Sequence, residues 1–452
     1  MLIFKILLGL VGLGIVVFVH ELGHFLAARL VGIQVEAFSI GWGKPILKKK
    51  IGGVEYRLGF FPLGGYCKMK GDNEYQEAYS NNNTYSGEDG SFYSVHPFRR
   101  IVACAAGPLF NLIFALLVLS VIWGIGVEVN TLSNRIILAS EINSPTTLNP
   151  ADEAGLKTGD YILSVKGIET KTYHEIQEII ALNPEKELPI TVKRNDTILK
   201  LSVRPLLEKS SGAGRIGVYF WIDPVIEKVS GGSLAEIAGL KSGDRILKVN
   251  GIDLPHTMAL YGILENKPTV LDLEISRENQ ILKASLIPVF SESGTGDLGL
   301  TWEAIRYRTP MLTPPEALAK GAAETWKTFS VSVKSLSLLF RGIDLTQAVS
   351  GPIRITYMVG DVAADGFSQS LGAGFSSMAV FLSLISIALC IMNLLPLPIL
   401  DGGLILLFFV EGLRGKPIPP KFISVFQTVG IILISGLMLL AVFGDVLYLA
   451  KR

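Results

Sequence analysis

The chain has 452 residues, 49% of them hydrophobic and only 18% charged, with a net charge of +1. This balance excludes an ordinary soluble enzyme and offers no basic surplus for nucleic acid; it fits a membrane protein with polar insertions. The three cysteines, Cys67, Cys104 and Cys390, have neither disulfide nor zinc-finger spacing, and no role follows for them.

Four stretches are apolar over the roughly 20 residues needed to span a bilayer. The first covers residues 1–33 and contains His20-Glu21-Leu22-Gly23-His24. Ionisable groups are costly inside a membrane segment and point to function. Residues four apart share a helix face, so His20 and His24 can grip one metal ion. Glu21 projects at a neighbouring angle and suits a general base acting on water. This is the two-histidine zinc pattern of metalloproteases. With only 5 histidines in the chain, an accidental match is disfavoured. A signal peptide is also disfavoured, because apolar residues continue through Ala27, Ala28, Leu30 and Val31. A structural metal site is the remaining alternative.

Residues 34–98 form a polar loop with Lys44, Lys48, Lys49, Lys50, Arg57, Lys68 and Lys70, followed by Arg99 and Arg100 at the start of the second span, 99–127. The loop 403–421 carries Arg414, Lys416 and Lys421. Basic residues at membrane ends mark the cytoplasmic side. Both termini and the central region are therefore expected outside the cytoplasm, although Lys5 and Lys451-Arg452 run against this.

The central region repeats itself. Gly155-Leu-Lys-Thr-Gly-Asp160-Tyr-Ile-Leu-Ser-Val-Lys-Gly167-Ile returns as Gly239-Leu-Lys-Ser-Gly-Asp244-Arg-Ile-Leu-Lys-Val-Asn-Gly251-Ile. Each copy predicts a turn and a strand, then a helix (173–182 and 257–264). Two alternating strands follow (188–193 with 197–203, and 270–276 with 281–287). Two small domains are expected at 127–206 and 222–290, with 207–221 as a linker. Residues 291–377 read as a further linker holding an amphipathic interfacial segment, 315–340, and Ser350 to Ile353 as a turn.

The third span, 378–402, ends in Asn393-Leu-Leu-Pro396-Leu-Pro398-Ile-Leu-Asp401-Gly402-Gly403. Two prolines break a helix, and broken helices at membrane depth line cavities. An open catalytic zinc site commonly has two His, one carboxylate and a water. Asp401 lies at the right depth to be that carboxylate; the alternative is an interfacial helix cap. Of its rivals, Glu411 falls in the 403–421 loop and Asp445, in the fourth span (422–450), lies near the opposite face of the membrane. The predicted fold class is a multi-pass α-helical membrane protein of about four spans with two inserted α+β domains.

The repeated Gly-Leu-x-x-Gly-Asp-x-Ile-Leu-x-Val-x-Gly run resembles PDZ domains of the bacterial, circularly permuted kind, which bind extended peptides at a sheet edge. Ile216-Gly217-Val218 looks like the peptide-binding loop of such a domain. His-Glu-x-x-His, Gly107-Pro108-Leu-Phe-Asn111 and Leu400-Asp401-Gly402 together resemble the site-2 protease family of intramembrane zinc metalloproteases. The tandem repeat narrows this to the regulator-of-sigma-E protease group of bacteria. The resemblance implies His20, His24 and Asp401 as ligands of one Zn2+ and Glu21 as catalytic base. It implies substrate contacts at Asn393, Pro396 and Pro398. The segment 56–69, with Gly64, Gly65 and Tyr66, looks like the family's re-entrant β-hairpin and is expected to touch substrate. Leu404 stands where many members carry a basic residue or His.

The expected activity is cleavage of single-pass proteins within the bacterial inner membrane, with the PDZ-like pair outside the cytoplasm. The implied substrate is an anti-sigma factor already trimmed externally, or remnant signal peptides. The alternative is a non-catalytic scaffold whose PDZ-like pair binds peptide tails. A metal transporter is a weaker third reading, because the later spans carry few polar residues.

Overall fold

The computed structural model describes residues 2–71, 88–142, 149–208, 211–290, 296–303, 305–338, 351–416 and 418–450. They divide into two units: one built from the N-terminal 127 residues and the chain after residue 308, the other from Glu128–Arg308.

The first unit holds helices α1 (Leu2–Leu30) and α2 (Pro97–Ile125). Among its described residues, four helices are long and apolar enough to cross a membrane: Phe4–Leu30, Pro97–Ile125, Leu371–Leu394 and Lys421–Val446. Helices α1 and α2 cross at small residues. A Cβ on Gly23 would lie 2.4 Å from the Ala106 carbonyl oxygen, and close backbone approach of this kind is how helices pack where water provides no drive.

Between α1 and α2 the chain forms β1 (Val35–Ile51) and β2 (Val54–Met69), joined by Gly52-Gly53 at positive φ. The arrangement is more than the expected hairpin. Both strands bend, and residues 37–40 have partners on two sides. Phe38 pairs with Cys67 and with Tyr56, Ile40 with Gly65 and with Leu58, and Lys48 with Arg57. Four segments therefore lie side by side in the order 65–69, 35–40, 55–58, 45–51. Gly41 and Gly43, both at positive φ, make the bend in β1. One face of the sheet packs Val35, Phe38, Val54 and Met69 against Phe25 and Ala28 of α1 and Ala103 and Cys104 of α2.

The second unit holds two four-stranded sheets of one topology. The first runs in the order Ile168–Glu169, Tyr161–Val165, Leu188–Arg194, Thr197–Val203 and carries helix α3 (Tyr173–Ala181). The second runs Ile252–Asp253, Arg245–Val249, Leu271–Arg277, Gln280–Leu286 and carries α4 (Thr257–Glu265). Each has its own apolar core. The repeated Gly-Asp explains itself here. Asp160 and Asp244 are buried, and each accepts two hydrogen bonds from an arginine of the third strand, Arg194 (2.8 and 2.8 Å) and Arg277 (2.6 and 2.7 Å).

The expected linker at 207–221 does not hold. Val218–Phe220 pairs with Ile136–Leu138, and Ile216 is buried in the first core. Leu300–Trp302 likewise pairs with Ile226–Val229 in the second repeat. Each repeat needs this returning strand to close its core, and the strand lies too far along the sequence for the local pattern to reveal it. The unit begins and ends on one strand pair, with Thr131 opposite Ile305.

Past the second unit come α5 (Pro314–Leu338), α6 (Pro352–Gln369), α7 (Leu371–Leu394), α8 (Asp401–Arg414) and α9 (Pro420–Ala450). The segment expected at the interface is α5, and one face of it packs closely on α2: a Cβ on Gly321 would lie 2.2 Å from Ser120 Oγ. Instead of a turn, Gly351 caps α6, whose first N–H groups at Gly351, Ile353 and Arg354 donate to the buried carboxylate of Asp445 (2.9, 3.1 and 3.1 Å). Ser350 lies outside the described residues. The third span stops at Leu394, and the 403–421 segment expected as a loop is largely helix α8. Residues 395–400 make the break. Gly402 and Gly403 permit it, since added Cβ atoms would lie 2.3 Å from the Leu394 oxygen and 2.1 Å from the Leu397 oxygen.

Candidate metal centre

Helix α1 presents His20 and His24 one turn apart, with Nε2 atoms separated by 3.1 Å. Asp401 opens α8, where its negative charge suits the helix N-terminus. Its Oδ2 lies 3.4 Å from His20 Nε2 and 3.5 Å from His24 Nε2. Among the described residues these three form the one group of His, Cys, Asp or Glu side chains close enough to share a metal ion.

The opposite ring nitrogens decide what the cluster can hold. His24 Nδ1–H donates to the Ala103 carbonyl oxygen at 2.8 Å, so its Nε2 presents a lone pair. His20 Nδ1 lies 3.4 Å from the Asn111 amide nitrogen, while the buried Asn111 Oδ1 has no partner among the described residues. Turned over, that amide would offer Oδ1 to a His20 Nδ1–H and satisfy the orphaned oxygen. With the amide so turned and both rings neutral, the two Nε2 lone pairs face Asp401. Such a set calls for a cation. Its edges of 3.1–3.5 Å match the ~3.3 Å donor separation of a tetrahedral zinc site with ~2.0–2.1 Å bonds. Two imidazoles and one carboxylate also fit zinc in kind, and leave one position open.

Gly107 makes room for this geometry, since a Cβ there would lie 2.3 Å from His24 Nε2. This gives a physical reason for the glycine of the Gly107-Pro108-Leu-Phe-Asn111 motif.

Glu21 faces the sheet. Its carboxylate accepts the Cys67 backbone N–H, and a Cβ on Gly65 would lie 3.0 Å from Glu21 Cγ. Segment 65–69 is the edge of the sheet that lines the cavity in front of the cluster, a space of ≈ 630 Å³ that Trp42, Asn393, Ile399 and Gln427 also line. Gly65 and Tyr66 line it; Gly64, at φ 108, seats Trp42 beside them (a Cβ would lie 2.0 Å from its Nε1). Asn393 faces the cavity as expected. Pro396 and Pro398 do not line it; they shape the break, and Pro398 packs on α9, where a Cβ on Gly430 would lie 2.5 Å from its Cβ. Ile399 lines the cavity in a left-handed conformation, φ 79, that a β-branched residue rarely adopts.

Ile216, Gly217 and Val218 belong to the second unit and border a separate groove of ≈ 460 Å³ with Ile176 and Ile180 of α3. There the Tyr173 hydroxyl donates to the Val218 carbonyl at 2.7 Å. The sequence reading missed Ala103, Gln427, Ile399 and the Cys67 N–H. Three of these act through backbone or sit in apolar runs, and nothing in the local sequence singles them out.

Residues 8–437 match Peptidase family M50. The chain is 37% identical to a putative zinc metalloprotease of Treponema pallidum, over 98% of this chain and 99% of that protein. It is 33% identical to Protease RseP of Yersinia pestis, over 96% and 97%. It is 30% identical to the Regulator of sigma-E protease RseP of Salmonella typhimurium, again over 96% and 97%. The chain belongs to Peptidase family M50, the site-2 proteases; it is a multi-pass membrane zinc metalloprotease, and zinc is its cofactor.

Proposed function

We propose that this M50 protease cuts single-pass membrane proteins within the bacterial inner membrane, at a zinc held by His20, His24 and Asp401. The observation that carries the reading is the convergence of two imidazole nitrogens and a carboxylate oxygen within 3.1–3.5 Å. Zinc in such a site supplies positive charge and Lewis acidity toward the carbonyl under attack. Glu21, oriented by the Cys67 N–H, takes a proton from the attacking water and returns it to the leaving amine.

A helical substrate offers no free carbonyl, because its backbone is bonded internally. Segment 65–69 supports an answer. Its open edge borders the cavity, and an unwound substrate can add there as a further strand. Asn393 supplies an amide to the same cavity, while Pro396 and Pro398 hold the break that exposes it.

The two repeats are read as PDZ-like domains on the extracytoplasmic side, with Ile216, Gly217 and Val218 bordering a groove for a peptide terminus. The proposed substrate is an anti-sigma factor, trimmed externally first, in keeping with a relative named Regulator of sigma-E protease; remnant signal peptides fit the same site. The test is cleavage of a model single-pass substrate, trimmed and untrimmed, by protein reconstituted in lipid. Glu21→Gln is expected to keep its zinc and lose ~10²–10⁴-fold in kcat. Unchanged cleavage by that variant would overturn the reading, and equal cleavage of both substrates would remove the trimming requirement.

A further inference from the structure

Glu411, which the sequence places in a loop, is only 6% exposed on the last turns of α8, and Arg100, at the start of α2, is 5% exposed. The two form a bidentate pair: Arg100 Nη2 donates to Glu411 Oε1 at 2.6 Å and Nη1 to Oε2 at 3.2 Å. Arg100 Nε donates to the Val95 carbonyl oxygen at 3.1 Å, and the guanidinium lies over the buried Phe408 ring, 4.8 Å from its centre.

Taking two such charges out of water costs more than packing apolar side chains in the same space. What a bidentate pair adds is direction, because guanidinium and carboxylate must stay coplanar and aligned. Here the direction matters. Helix α2 already fixes both histidines, His24 through the Ala103 carbonyl and His20 beside Asn111. The third group of the cluster, the Asp401 carboxylate, comes from α8, which the chain reaches only after the irregular residues 395–400. Asp401 and Phe408 are seven residues apart and so share one face of α8. A 20° rotation of α8 moves a carboxylate at its ~5–6 Å outer radius by ~2 Å, a whole zinc–oxygen bond length.

We propose that Arg100 and Glu411 are positioning residues that set the rotation of α8 on α2 and thereby hold Asp401 against the two histidines. The inference rests on the zinc-ligand reading above. Its test is zinc affinity of the purified full chain, measured by competition with a chelator, across a double-mutant cycle. The double variant Arg100→Met/Glu411→Leu replaces the pair with side chains that pack but do not aim. It is expected to melt close to the unaltered protein yet bind zinc about 10-fold more weakly, the low end of the loss when a group bonded directly to a ligand is removed, because the pair acts on Asp401 only through α8. Glu411→Gln, which keeps the volume, is expected to weaken zinc in the same direction. In an Asp401→Ala background neither change should weaken zinc further, because the pair acts through Asp401.

Unaltered affinity in both pair variants, with Asp401→Ala weakened, would overturn the clamp and leave the ligand set standing. An equal loss with and without Asp401 would also overturn it, since the pair would then act through the fold at large. Unaltered affinity in Asp401→Ala itself would overturn the ligand assignment and the clamp with it.

Discussion

Asp244 in the second repeat and Asp401 in the membrane unit are both carboxylates withdrawn from water, yet they meet opposite surroundings. Asp244 meets donors alone: Arg277 at 2.6 and 2.7 Å and the Lys241 N–H at 2.8 Å. Arg277 also donates to the Gly239 carbonyl oxygen at 2.8 Å, so the carboxylate ties a turn to a strand and is satisfied within the fold. Asp401 meets the Nε2 atoms of two imidazoles, of which His24 directs its Nδ1–H to the Ala103 carbonyl and His20 sets its Nδ1 beside the Asn111 amide. Asp244 is fully buried and Asp401 only half-buried. The facing groups separate them: guanidinium and backbone donors complete the Asp244 carboxylate, whereas Asp401 faces two imidazole nitrogens in a set that suits a metal cation.

The strongest way to break the comparison is Asp401→Asn, which keeps the volume and removes the charge. Zinc affinity should fall by more than the ~10–100-fold typical of an outer partner, and proteolysis with it. Metal content of the purified variant, measured against that of the unaltered protein, decides this. Gly107→Ala comes next. Its added methyl would collide with His24 Nε2, 2.3 Å away, so zinc affinity should drop ~10–100-fold while Glu21 and Asp401 are untouched.

Arg277→Ala probes the other carboxylate. It leaves Asp244 buried without its cation and should cost the repeat about 1–3 kcal/mol, read by denaturant unfolding or by hydrogen exchange in Leu271–Arg277. Zinc affinity should not change; a large loss there would mean that the two carboxylates are not separate in function.

The smallest effect is on acid stability. Burial alone would raise the Asp244 pKa, but Arg277 and the Lys241 N–H overcome it and hold the carboxyl below its ordinary value. A lowered folded value means that the pair stabilises above the unfolded pKa of ~3.9 and loses that contribution as pH falls through the folded value. Melting of the repeat should therefore steepen toward acid below about pH 4. Arg277→Ala should flatten that limb; an unchanged limb would place the acid sensitivity elsewhere.

The two edges of the small sheet draw the same lesson at the level of backbone. Segment 65–69 leaves its edge toward the cavity, whereas 45–51 carries Lys48, Lys49 and Lys50, all exposed. Lysines on a free edge discourage further pairing, so the strand addition proposed above would be confined to the side where Glu21 lies.

Local spacing was enough for much of this protein. A four-residue interval put His20 and His24 on one helix face, apolar runs located the four spans, and the duplicated Gly-Asp motif gave the helices and hairpins of both repeats to within a residue or two. Asp401 was legible because few carboxylates lie at membrane depth. Glu411 was misread because Gly412, Arg414 and Lys416 make the end of α8 look like a loop; its burial exists only against Arg100, 311 positions away. The same holds for the strand Val218–Phe220, which gains a partner only when Ile136–Leu138 lies beside it. Sequence fixes which way a side chain points from its own helix or strand, because that depends on neighbours a few residues off. Which donor or acceptor it then meets depends on packing between segments far apart in the chain, and only the folded arrangement of α1, α2 and α8 brought two imidazoles and a carboxylate close enough to share a metal ion.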